Sequence, residues 1–167
     1  MATGVVRSCH PLDVFVACDS DDVADWAAEH GAAVIWGPGL GLNGAIDDGV
    51  AAIADAGYDQ VIISHADLPH PTMLPTVARA GTVTLVPDRR RDGTNVLSFP
   101  LTDAIVAAYG PGSFNRHFEA AQALGIAVEV RTDHDLSLDV DTPGDLAHPR
   151  IKEALPIWLR TNPVNPT

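Results

Sequence analysis

Lysine is nearly absent from this 167-residue chain: Lys152 stands alone beside nine arginines, and 22 acidic residues bring the formal net charge to -12. So little positive charge excludes the basic face that duplex or single-stranded nucleic acid requires. It leaves phosphorylated small molecules open, because a bound cation inverts the local field. Phosphate chemistry here falls to arginine, backbone amides and metal ions. Aromatic residues make up only 5%, so the core is expected to be built from Ala, Val, Leu and Ile. Cys9 and Cys18, nine residues apart, form neither a disulfide framework nor a metal-ligand spacing. No apolar run approaches the ~20 residues that span a bilayer, and the first residues carry no signal-peptide pattern. The expected compartment is the cytoplasm.

What remains is an ordinary globular composition, 46% hydrophobic and 19% charged, of a length that makes one domain over residues 1–167. Short apolar runs alternate with helical patterns. Strands are expected at Leu12–Ala17, Ala32–Trp36, Gln60–Ser64, Thr82–Val86, Val96–Phe99 and Ala127–Arg131, with Leu136–Val140 ending the sheet. Helices are expected after Ser20 through Trp26 to His30, at Ala45–Ala56, Met73–Ala80 and Asn115–Leu124. The strands are apolar on both faces, as in a sheet covered on both sides, and the alternation signals βαβ crossovers. The fold class is therefore three-layer α/β, with a mostly parallel sheet and helices on both faces. Residues from about 150 onward, ending in NPVNP, read as a loose extension with a short helix.

Ligands of open parallel sheets bind beyond the carboxyl ends of the strands. Asp67, in HADLP just after the third strand, is placed to face that crevice; a turn or helix-cap aspartate is the competing reading. In LDVDTP, Asp139 and Asp141 are two apart, so on an extended chain they point the same way, with Val140 turned inward. Paired carboxylates repel unless a cation lies between them, and such hard oxygen ligands suit Mg²⁺ or Mn²⁺. The same Asp-Thr-Pro could simply begin the last helix.

Three further segments carry anion-binding signals. PDRRRDGTN, Pro87 to Asn95, joins three arginines to Thr94 and Asn95, residues suited to clamping and orienting a phosphate; a solvated charge run is the alternative for the arginines. YGPGSF, Tyr109 to Phe114, brings Gly110, Gly112 and Ser113 to a helix start that also carries His117. A plain turn is the alternative there, and a helix histidine is usually structural. GPGLGLNG, Gly37 to Gly44, matches neither a Walker loop nor G-x-G-x-x-G. Its position between strand and helix still suits nucleotide contact through Gly41, Leu42 and Asn43.

Taken in order, GLN at 41–43, ADLP at 66–69, PDRRRDGTN, YGPGSF with His117, and LDVDTP resemble the CofC/FbiD family of guanylyltransferases. That family makes a precursor of the deazaflavin coenzyme F(420), and the likeness spans about residues 12 to 150. It implies a MobA-like nucleotidyltransferase fold and transfer of GMP from GTP to 2-phospholactate, phosphoenolpyruvate or 3-phosphoglycerate, with release of pyrophosphate. By resemblance Asp67, Asp139 and Asp141 hold one or two Mg²⁺ ions, Thr94, Gly110 and Ser113 bind the acid, and Asn43 lies near the guanosine. Family members open with a strand and a Lys-Ser-Arg-Leu phosphate loop. This chain has neither, so an N-terminally truncated version of the fold is expected, with a homodimer as one way to cover the exposed edge. The competing functions are an inactive phosphoacid- or nucleotide-binding domain and another MobA-like transferase.

Overall fold

The computed structural model describes residues 1–161. Six helices and six strands follow one another as α1 (Ala2–Ser8), β1 (Phe15–Cys18), α2 (Asp21–Glu29), β2 (Ala33–Trp36), α3 (Gly41–Asp55), β3 (Gln60–Ser64), β4 (Thr82–Pro87), β5 (Thr94–Pro100), α4 (Ser113–Ala123), β6 (Ala127–Val130), α5 (Pro149–Ala154) and α6 (Ile157–Thr161). None of these helices is long and apolar enough to cross a membrane.

The strands form two sheets, β1-β2 and β3-β5-β4-β6. β1 with β2 and β4 with β6 are parallel, whereas β5 runs antiparallel to both of its neighbours. Among the described residues β1 pairs only with β2 and β3 only with β5, so each keeps one unpaired edge.

Alternation along the strands makes the three layers. Val61 and Ile63, Val83 and Leu85, and Leu97 and Phe99 pack on one side with Ile46, Val50 and Ile53 of α3 and Phe114, Phe118 and Ala121 of α4. Ile62, Val86 and Val96, one residue out of phase, pack on the other with Val5 of α1, Leu68, Leu74, Val77 and Leu136. Successive side chains of a strand point to opposite faces, so β3, β4 and β5 each feed both cores. α3 bridges the sheets: Val50 joins the larger cluster, while Gly49 lets Ile35 of β2 approach so closely that a Cβ there would stand 3.3 Å from its Cδ1. Tyr58 adds a second tie, its hydroxyl donating to Asp13 at 2.8 Å and its ring meeting Phe15 edge-on.

Two expected elements do not form. Met73–Ala80 is a single 3-10 turn, Leu74–Thr76. Pro71 and Pro75 lack amide hydrogens, and Thr76 and Val77 are β-branched, so a regular helix has little to sustain it. Leu136–Val140 joins no sheet; the amides of Asp135 and Leu136 instead donate to Asp133 Oδ1, and Ser137 N–H to the Asp133 carbonyl. A short acidic side chain thus captures the backbone that a ladder would need. Residues 149–161, the beginning of the expected loose extension, fold as α5 and α6, and Ile151 and Leu155 are buried beside Leu138. The NPVNP segment lies outside the described residues.

Candidate active site

The chemistry-bearing segments meet at one edge of the molecule because of strand direction. β3 and β4 end there, and β5, antiparallel to both, begins there. Ser64 pairs with Val96 and Pro87 with Thr94. His65 N–H donates to the Asn95 carbonyl, extending the pairing one residue past β3. Asp67 follows directly. The first turn of α3, which follows β2, joins the same edge through Asn43, which accepts from Tyr109 N–H at 2.7 Å and donates to the Tyr109 carbonyl at 3.3 Å.

Four carboxylates share this neighbourhood. Asp139 is pushed up to about 6, first by burial and then by the negative charges of Asp141, Asp88 and Asp67. Asp67 is raised too, chiefly by burial, and its Oδ1 is buried without a partner. Burial and neighbouring negative charge hold Asp67 and Asp139 against ionisation, a setting that fits a divalent cation. Among the described residues no three His, Cys, Asp or Glu groups converge closely enough to hold an ion by themselves. The fit is therefore to a Mg²⁺-type ion bound by one or two carboxylates and completed by substrate phosphates. Asp88, absent from the sequence reading, lines a small crevice with Arg89, Arg90, Asp139, Asp141 and Asp145. A larger cleft of about 440 Å³, lined by Arg7, Asp13, Phe15, His30 and Tyr58 among others, lies at the opposite ends of the strands and holds none of the motif residues.

The arginine run is mostly committed to the protein. Asp88 accepts from the amides of Arg90, Asp92 and Gly93 through both carboxylate oxygens, which closes the loop on itself. Arg89 is ion-paired with Asp145, and the Arg91 guanidinium lies 4.9 Å from the centre of the Phe114 ring. Asp145 in turn accepts from Thr142 N–H and Thr142 Oγ1, both at 2.8 Å, and from Asp141 N–H at 3.3 Å. One buried carboxylate thereby fixes the LDVDTP turn against the arginine loop. Burial raises its pKa, but the Thr142 hydrogen bonds and the Arg89 charge outweigh that and hold it below the usual range.

Thr94 and Ser113 lie side by side between the start of β5 and the start of α4, both buried, with Thr94 N–H donating to Ser113 Oγ at 3.1 Å. Thr94 Oγ1 also stands 3.0 Å from His117 Nδ1. Asn95, grouped with Thr94 in the sequence, faces the other way. Its Nδ2 donates to the Leu136 carbonyl at 3.1 Å, so the side chain fastens the Asp133–Leu138 turn to β5. Gly110 and Gly112 adopt φ of 115° and 72°. Arg116 folds back over them and donates to the carbonyls of Ala108, Gly110 and Pro111. The α4 start is not an open anion cradle: Asp92 Oδ2 accepts from Gly112 N–H, and the Asp92 carbonyl from Phe114 N–H. Gly41 opens α3, and Leu42 is exposed beside it.

Sequence reasoning missed Asp47 as well as Asp88, and it named Tyr109 and His117 within the YGPGSF segment and its helix without assigning them a role. Asp47, four residues after Asn43 on α3, accepts from Ala107 N–H at 2.8 Å, so two turns of one helix face hold the 107–109 backbone. His117 is completely buried. Tyr109 is packed between the rings of His65 and His117, at 5.3 and 4.7 Å, and its hydroxyl is buried without a partner. Burial pushes that phenol far above its ordinary value.

Comparison with known proteins shows the family and the fold. The family model described as "Guanylyl transferase CofC like" matches residues 1–151. A phosphoenolpyruvate guanylyltransferase of Sphaerobacter thermophilus is 34% identical over 148 residues, covering 84% of this chain and 71% of the relative. One from Rubrobacter xylanophilus is 34% identical over 140 residues, 80% and 68% of the two chains. A 2-phospho-L-lactate guanylyltransferase of Methanothermobacter thermautotrophicus is 31% identical over 144 residues, and the match spans 63% of that relative's length. Among solved structures, a Desulfovibrio desulfuricans protein named for nucleotide-diphospho-sugar transfer superposes with a TM-score of 0.66 at 20% identity. It covers 87% of this chain and 71% of its own, and the likeness is one of fold.

Proposed function

This chain belongs to the CofC-like family of guanylyl transferases, and from that premise we propose that it transfers GMP from GTP to a small phosphorylated acid and releases pyrophosphate. The acid is phosphoenolpyruvate, 2-phospholactate or 3-phosphoglycerate. Phosphoenolpyruvate is favoured because the relatives from Sphaerobacter and Rubrobacter are named for it. The product would serve the route to a deazaflavin coenzyme.

The observation that carries this reading is convergence. Asp67, Asp139 and Asp141, the Thr94–Ser113 hydroxyl pair and the Asn43–Tyr109 clamp are far apart in sequence yet gather at the carboxyl ends of β3 and β4. One or two of Asp67, Asp139 and Asp141 would hold a divalent cation, which would supply charge neutralisation between phosphate groups. Thr94 and Ser113 present hydroxyls to the phosphate of the acid, with Gly110 bringing main chain close by. Gly41, Leu42 and Asn43 border the nucleotide. No covalent intermediate is required. The residues hold the acceptor phosphate in line with the α-phosphate of GTP, and orientation supplies much of the rate.

Incubation of the protein with Mg²⁺, GTP and each acid in turn, with pyrophosphate release measured, tests the proposal. One acid, phosphoenolpyruvate foremost, is expected to give GTP-dependent release, and Asp139→Asn is expected to lower it at least 100-fold. Release with none of the three acids from folded protein would overturn the assignment.

A further inference from the structure

His117 makes two hydrogen bonds whose directions determine each other. Ala108 N–H can only donate, and it lies 3.0 Å from His117 Nε2. Nε2 is therefore the unprotonated nitrogen, and the ring proton of the neutral imidazole sits on Nδ1. Nδ1 stands 3.0 Å from Thr94 Oγ1, so the imidazole donates and the threonine oxygen accepts. The reverse direction would require a ring with no proton at all. The Thr94 hydroxyl proton must then point elsewhere, and among the described residues nothing accepts it.

Ser113 repeats the arrangement. Its Oγ accepts from Thr94 N–H at 3.1 Å, and its own proton likewise has no acceptor among the described residues. Both residues are 2% exposed. Two buried hydroxyls, each with its oxygen satisfied and its proton unspent, form a donor pair for an anionic oxygen. The surroundings keep the imidazole neutral: burial lowers its pKa to about 4, the neighbouring Arg116 charge acts in the same direction, and the ring edge meets Tyr109. A protonated ring could not accept from Ala108.

We propose that His117 is a positioning residue: the Ala108 amide fixes its tautomer, and the tautomer turns the Thr94 hydroxyl outward as a donor to the phosphorylated acid. This deepens the functional reading above and rests on it for the identity of the ligand. The tautomer itself stands on geometry alone. His117 touches no reacting atom; it acts through Thr94.

The test has two arms. Long-range proton–nitrogen NMR of the uniformly labelled protein is expected to show His117 as the Nδ1–H tautomer, without titration between pH 8 and about 5. An Nε2–H tautomer, or ordinary titration near pH 6.5, overturns the inference whatever the activity. The second arm uses phosphoenolpyruvate as ligand, by calorimetry and by KM in pyrophosphate release. In His117→Asn the amide nitrogen falls where Nδ1 stood and can still donate to Thr94. In His117→Gln the amide falls where Nε2 stood and that donor is lost. His117→Gln is expected to weaken the acid about tenfold, the effect of one hydrogen bond to a charged group. KM for GTP should be unchanged, and His117→Asn should stay within about threefold of the parent. In a Thr94→Val background His117→Gln should add nothing. Equal losses in the two His117 variants, or an undiminished loss in the Thr94→Val background, indicate a merely structural histidine and overturn the inference. Phosphoenolpyruvate binding without turnover sinks the guanylyl transfer reading alone.

Discussion

At the residue scale the site is governed by charges that neutralise one another in unequal ways. Asp139, Asp141 and Asp67 crowd one another, whereas Asp88 is held by three main-chain amides and Asp145 by Arg89 and three hydrogen bonds. Asp88 and Asp145 tie the loops together; the other three are the candidates for a cation. Asp145→Ala strands the Thr142 amide and hydroxyl and leaves Arg89 unpaired. Because Arg89 remains about one-third exposed, the expected cost is about 1–3 kcal/mol rather than the full penalty of breaking a buried pair. The sign with pH follows from the depressed carboxyl. The stabilisation is fully present above the ordinary aspartate value near 4 and is lost as pH falls through the lower folded value. Urea unfolding of parent and variant should thus differ at pH 7 and converge at strongly acid pH. A difference that persisted there would contradict the assignment.

At the scale of elements, α3 does more than cover a sheet. Its Asn43 and Asp47, one turn apart, hold the backbone of residues 107–109, and that loop sets the start of α4 with Ser113 and His117. The helix at the β2 end is thereby coupled to the hydroxyl pair beside β5. Asn43→Ala removes partners from both the amide and the carbonyl of Tyr109 and is expected to cost about 1–3 kcal/mol. It should also weaken phosphoenolpyruvate several-fold, measured by calorimetry, because the loop carrying the site loosens. Unchanged acid affinity would show that the loop is held without the clamp.

The arginine segment carries a related lesson. Its three guanidinium groups resemble a phosphate clamp in sequence, yet the fold spends Arg89 on Asp145 and lays Arg91 over Phe114. The anion at the start of α4 is the protein's own Asp92. Which charges meet a ligand depends on which partners the chain itself brings, and those partners are distant in sequence.

At the scale of the whole molecule, burial is uneven. Every residue of β5 is buried and five of six in β4, whereas β1 and β2 contain no buried residue. Among the described residues the smaller sheet pairs with no strand of the larger and is joined to it through α3 and Tyr58. Native-state amide exchange should accordingly show β1 and β2 opening at a lower free energy than β4 and β5, since local stability tracks buried contacts. Equal protection of all the strands would contradict this division.

Sequence and tertiary structure contributed different things to this protein. The alternation of apolar runs with helical patterns determined the layered α/β class, because the central strands bury both faces, and the stretch Gln60–Ser64 is a strand with the bounds read from its residues. The segments carrying Asp67, Thr94, Ser113, Asp139 and Asp141 were legible because aspartate, hydroxyl and glycine at strand ends and turns have few structural uses that explain all of them together. Direction and partnership were not legible. The antiparallel course of β5 brings Thr94 to the edge where β3 ends, and it follows from pairing across dozens of residues rather than from any local signal. Burial of His117, the turning away of Asn95 and the neutralisation of Arg89 each depend on a group at least eight residues distant. A side chain's chemistry is written in its own residue; whether its proton or charge is left for a ligand is decided by what the fold sets against it.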